Sequence, residues 1–151
     1  MAAKVTLQDI TDAGFKAAQF GTPADWATET NGYLARLIKR AELWAQGKFG
    51  TAAYDAVAEN TTTHERLRSA ELCWCSAHLW KRRAGFIDSN AVSSMEGLAY
   101  LDRREFEAQA TRAFECADEN MALAIGGEDV VTGSGVALVG VESGPYALGA
   151  T

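Results

Sequence analysis

With prolines only at Pro23 and Pro145, nothing in the long stretch between them forbids an unbroken helical backbone, and this constrains the fold more than any other feature. Up to about residue 125 the sequence is rich in Ala, Leu, Glu, Gln and Arg, all strong helix formers. The expected fold class is therefore all-α: a small bundle with long helices. A chain of 151 residues suffices for one domain with a real core and is short for two.

Apolar spacing and capping residues place the helices. Leu7, Ile10, Phe15 and Ala18 predict a helix over 7–20 that stops at Gly21. Thr22-Pro23-Ala24-Asp25 supplies a capping hydroxyl, a first-turn proline and an acid near the positive helix end, predicting a second helix from about 23 to 46, weakened locally by Gly32. Residues 51–58 form a further short helix or a ragged continuation. Thr62-Thr63-His64-Glu65 reads as a capping box opening a third long helix to about Ala84, with Gly85 as terminator and Lys81, Arg82 and Arg83 complementing its negative end. Ser93-Ser94-Met95-Glu96 is a second such box, and the helix it opens runs to about Ile125.

The chemistry changes there. The last 26 residues hold seven of the 14 glycines and no Lys or Arg, so an α-helical body over 1–125 gives way to an extended glycine- and valine-rich tail over 126–151. Val130, Val131, Val136, Leu138, Val139, Val141, Tyr146 and Leu148 are too many apolar groups for a solvated linker. The tail could close as a hairpin around Gly133-Ser134-Gly135, or stay extended and add a strand to another chain. The second is favoured because an isolated hairpin is marginal in water.

Charge divides along the same line. All 14 basic residues lie at or before Arg112, together with 14 of the 20 acids, so residues 1–112 sum to zero. Glu115, Asp118, Glu119, Glu128, Asp129 and Glu142 carry the entire net charge of -6. A generic nucleic-acid binder, which gains affinity by neutralising phosphates, should be biased the other way. The start has no apolar core long enough for a signal peptide, and nothing approaches a membrane span. An odd count of three cysteines without an export signal predicts reduced thiols in a cytoplasmic setting.

Catalytic and metal chemistry finds little to use. On a helix Cys73 and Cys75 point about 200° apart, so they cannot share one tetrahedral ion, and Cys75 with His78 supplies only two ligands. Buried, inert thiols are expected, with no metal and no cofactor. No serine elbow, phosphate loop or dinucleotide fingerprint occurs. Acid pairs such as Glu105 with Glu107 read as an exposed helix face.

Two basic groups, Arg36-Lys39-Arg40 and Lys81-Arg82-Arg83, fit helix-end electrostatics, with phosphate contact or pairing to acids of a neighbouring subunit as the sharper alternative. Trp26, Trp44, Trp74 and Trp80 are many for so small a chain. Because Trp74 and Trp80 lie about 240° apart on an ideal helix, one core should not readily bury both, and a subunit interface is expected to take the excess. The faces carrying the four tryptophans with Arg36, Arg40, Arg82 and Arg83 are its expected components.

The layout of capped helices opening at Thr22, Thr62 and Ser93, followed by the tail ENMALAIGGEDVVTGSGVALVGVESGPYALGAT, resembles the head-tail connector, or adaptor, proteins of tailed bacteriophages. The resemblance spans nearly the whole chain and rests on architecture and tail composition. It implies a ring, usually of twelve subunits, beneath the portal in the virion neck, with assembly in the host cytoplasm. It also implies C-terminal tails reaching into the portal, contact with tail or neck proteins, double-stranded DNA passing through the lumen, and no enzymatic activity or membrane partner. On that footing Glu115, Asp118, Glu119, Glu128 and Asp129 are expected to line or approach the channel, where like charge keeps DNA from sticking. The rivals are a small helical nucleic-acid-binding or regulatory protein, and an unrecognised small hydrolase using Cys75 and His78.

Overall fold

A computed structural model describes the backbone of residues 2–21, 23–90 and 96–126, and the side chains of these except residues 86–102. Among the described residues every regular element is helical: α1 (Leu7–Asp12), a 3-10 turn (Ala17–Phe20), α2 (Tyr33–Phe49), α3 (Thr51–Ala56), α4 (Thr62–Asn90) and α5 (Glu96–Gly126). The proposed caps at Thr22 and Ser93 lie outside these residues. So do Glu128, Asp129 and the tail positions Val130, Val131, Val136, Leu138, Val139, Val141, Tyr146 and Leu148.

The helix expected over 7–20 divides in two. Thr6 and Asp9 form a reciprocal cap, with the Asp9 N–H donating to Thr6 Oγ1 at 3.2 Å and the Thr6 N–H to Asp9 Oδ2 at 2.9 Å. Gly14, at φ +98°, then turns the chain, and the 3-10 turn ends at the predicted stop, Gly21, at φ +82°. Of the expected apolar row, Ile10 and Phe15 enter the core and Leu7 packs against it, whereas Ala18 is exposed and Phe20 takes the buried place instead.

The predicted helix over 23–46 begins ten residues later, at Tyr33. Residues 25 and 26 belong to a loop that folds over the start of α2: the Tyr33 N–H donates to the Asp25 carbonyl at 2.8 Å, and the Leu34 N–H to that of Trp26 at 3.1 Å. The loop thus satisfies amide donors that the first turn of any helix leaves open. Gly32 is the N-cap rather than a weak interior point, and a Cβ there would lie 2.3 Å from the Thr28 carbonyl oxygen. Trp26 anchors the loop between Phe20, at 4.9 Å between ring centroids, and Tyr33, at 5.6 Å.

The third helix starts as expected, although its capping hydroxyl belongs to Thr61, which accepts from the His64 N–H at 3.2 Å. It continues through Gly85 to Asn90, so Lys81, Arg82 and Arg83 are not end-of-helix charges. At 29 residues α4 spans about 43 Å, and α5, at 31 residues, about 46 Å. They pack antiparallel. The pairs Arg66 with the Leu123 carbonyl, Cys73 with Cys116, His78 with Phe114 and Trp80 with Phe106 fix one register along the hairpin.

Helix α2 crosses α4 antiparallel as well: Trp44 meets Trp74, and Tyr33, eleven residues earlier in the chain, meets Arg82. It follows that α2 and α5 point the same way along the bundle. One core gathers Val5, Ile10, Phe20, Leu34, Leu37 and Leu79, and a second gathers Ala45, Tyr54, Leu67 and Met121.

Candidate functional site

The antiparallel register brings Cys116 opposite Cys73, and the two form a disulfide with Cα atoms 5.9 Å apart. This corrects the expectation of three reduced thiols. Residues two apart on a helix face different ways, so Cys73 turns to α5 while Cys75 turns into the core beside Leu37 and Leu79. Only Cys75 is free, and burial pushes its thiol up, away from a reactive thiolate. His78 lies against Trp74, at 4.0 Å between centroids, and edge-on to Phe114 at 5.2 Å. Burial, then the nearby Arg40 and Lys81 charges, push its imidazole below the usual histidine range. The thiol and imidazole proposed as a hydrolytic pair therefore occupy different surroundings. Among the described residues no group of three or more His, Cys, Asp and Glu is placed to hold a metal ion, and no helix is long and apolar enough to cross a membrane.

All four tryptophans find partners within the chain. Trp26 is buried, Trp44 stacks on Trp74 at 6.0 Å, and Trp80 meets Phe15 and Phe106, each at 5.3 Å. Helix α4 is covered on more than one side, by α2 and the N-terminal segment as well as by α5. Trp74 and Trp80 are both accommodated for that reason, so their number needs no second subunit to account for it.

The basic clusters lie over these rings. Arg40 stands 5.7 Å from the Trp74 ring, Arg82 4.5 Å from Tyr33, Arg83 4.3 Å from Phe106, and Lys81 5.8 Å from Phe114. On the outer side of α2, Asn31, Ala35, Arg36, Lys39 and Arg40 line an open groove. Arg36 pairs with Asp25 at 3.1 Å, and Lys39 with the buried Glu42 at 2.9 Å, while both basic side chains stay more than half exposed.

Glu115, Asp118 and Glu119 are exposed on the second half of α5, and among the described residues none has an ion-pair partner. The last turn of that helix contains no basic residue of its own, and the Arg66 guanidinium of α4 reaches its Leu123 carbonyl at 3.3 Å.

One site escaped the sequence entirely. Glu71 is fully buried on α4, where Oε2 accepts the backbone N–H groups of Lys4 at 2.7 Å and Val5 at 2.8 Å, and Oε1 accepts the Tyr54 hydroxyl. Burial pushes the Glu71 carboxyl up, against the opposing pull of these donors. Arg68, one turn earlier, clamps Asp9 through Nε at 2.9 Å and Nη2 at 2.5 Å. Together they fasten the N-terminal segment and α1 to the hairpin. The available signal was the position of Glu71 in the apolar row Leu67, Ala70, Leu72 and Cys75, where a solvated acid has no place.

No protein-family model, curated protein or solved structure matches the chain.

Proposed function

We propose that this chain is a structural head-to-tail connector of a tailed bacteriophage, a non-enzymatic subunit of an oligomeric ring in the virion neck that docks on the portal through its C-terminal tail. The observation that carries this reading is the continuity of α5 with the tail: a helix of 31 residues, held in a hairpin, leads straight into a sequence segment with eight large apolar residues and no basic residue. A rigid arm followed by an adhesive strand suits a part that must reach from one ring into another, the valines filling alternate pockets while the backbone adds to a partner's sheet. The separation of charge supports it too, since a chain without Lys or Arg after Arg112 does not retain DNA moving past it. Sequestration of Cys75 and the position of His78 between the Trp74 and Phe114 rings favour a structural role over a hydrolytic one.

The test is attachment to DNA-filled heads that display the portal. The full-length chain should co-sediment with such heads, and a chain lacking residues 126–151 should not. A truncated chain that remains off the heads yet binds duplex DNA with strong salt dependence would instead support the nucleic-acid-binding alternative.

A further inference from the structure

Helices α2 and α5 carry opposite charge. Among their residues α2 has four bases and one acid, Glu42, which is buried, whereas α5 has seven acids and three arginines. The arrangement is more specific than the totals. Exposed bases on α2 stand at 36, 39, 40 and 48, the first three as a triplet; the exposed, unpaired acids on α5 stand at 115, 118 and 119. Both triplets have i, i+3, i+4 spacing, which puts three side chains on one helix face.

Each triplet is followed by exposed apolar surface. The exposed large hydrophobics among the described residues are Leu43, Leu123 and Ile125. Leu43 follows the basic triplet on the same ridge of α2, at 56% exposure, and Leu123 and Ile125 follow the acidic one, at 37% and 57%. Laid side by side in the same direction, the helices pair Arg36 with Glu115, Lys39 with Asp118 and Arg40 with Glu119, and bring Leu43 beside Leu123.

We infer that these two ridges are the halves of a heterologous contact, α2 of one copy against α5 of the next. The occupant of each ridge is a second copy of this chain, and the inference rests on the ring proposed above. Direction supplies a further argument: α2 and α5 run parallel within a subunit, and rotation about an axis along the bundle preserves that, so neighbours in such a ring present them in the parallel sense the charge register requires. Glu115, Asp118 and Glu119 thereby move from the channel wall to the joint between subunits. Apolar contact at the leucines, rimmed by complementary charge, gives both adhesion and register. Helix α2 cannot meet its own α5 this way, because its ridge faces outward, with Ala41 and Ala45 turned to the interior.

The experiment uses the full-length chain and reads native mass against concentration by light scattering. R36E/R40E and E115R/E119R should each raise the concentration for half-assembly about tenfold or more, since like charges then face each other. Mixed in equal amounts, the two variants should assemble again as an alternating ring, because each then offers the ridge that the other needs. The neutral pair R36Q/R40Q should show a smaller, same-direction loss, and melting curves confirm that each variant folds. A wild-type oligomer untouched by both reversals, or a mixture that stays dissociated, overturns this interface; head attachment would then still stand by itself. A wild-type chain that stays monomeric at every concentration overturns it as well, while failure of the wild type to attach to heads would count against the connector reading whatever the reversals do.

Discussion

Glu71 and Tyr54 meet in the interior, the tyrosine hydroxyl donating to a carboxylate that has no solvent exposure and also holds the Lys4 and Val5 amides. An acid in such a place is a fastening point: three donors from two separate parts of the chain converge on one side chain of α4. The N-terminal segment is thereby tied to the centre of the bundle.

Replacing that acceptor leaves buried donors unsatisfied. Glu71→Ala should cost about 3 kcal/mol or more in urea unfolding. Glu71→Gln should cost much less, because its carbonyl can still accept from both amides while its NH2 group donates to the Tyr54 oxygen.

Two carboxylates give opposite pH signs. Glu71 is raised in the folded state, so its contribution is fully present below the ordinary carboxylate value and fades as pH rises through the folded one. Asp9 is lowered, chiefly by the hydrogen bond from Arg68, so its contribution is present above the ordinary value and is lost as pH falls through the folded one. Unfolding free energies measured from acid to neutral pH should lose the first dependence in Glu71→Gln and the second in Asp9→Asn.

The Cys73–Cys116 bond closes a loop of sequence separation 43, for which chain entropy gives about 4 kcal/mol. Cys73→Ser/Cys116→Ser should lower the urea midpoint accordingly. Thiol titration of the wild type should find no reactive thiol when native, one after unfolding, and three after reduction.

Gly32→Ala should be strongly destabilising, because the added Cβ meets backbone oxygens of Thr28 at 2.3 Å and Asp25 at 2.7 Å, which cannot yield without moving the loop. Gly47→Ala, in α2 with nothing within 4 Å, should stabilise by about 0.5–1 kcal/mol. Thermal melts of the two variants should move in opposite directions.

What the sequence made legible follows from local physics. Helix formers without proline give a body whose described elements are all helical, and Gly21 marks a real stop. The start of α2 was illegible because Trp26 keeps helical spacing with Tyr33 while serving as a loop anchor, and only the backbone bonds of Asp25 and Trp26 reveal the difference. Cys73 and Cys116 pair through hairpin register, which no local pattern encodes. Glu71 is similar: its partners come from residues 4, 5 and 54, far away in sequence. Complementary spacing of the triplets at 36 and 115 could be read from sequence, yet it acquires meaning only when both helices prove exposed and parallel.

The most direct measurement of the central claim is the number of copies retained on an isolated portal ring, by native mass, for the full-length chain and for one ending at residue 125. A connector predicts a fixed, ring-sized complement of the full-length chain on each portal and none of the shortened one. Absence of the full-length chain from the portal, or equal retention of the shortened chain, would contradict it.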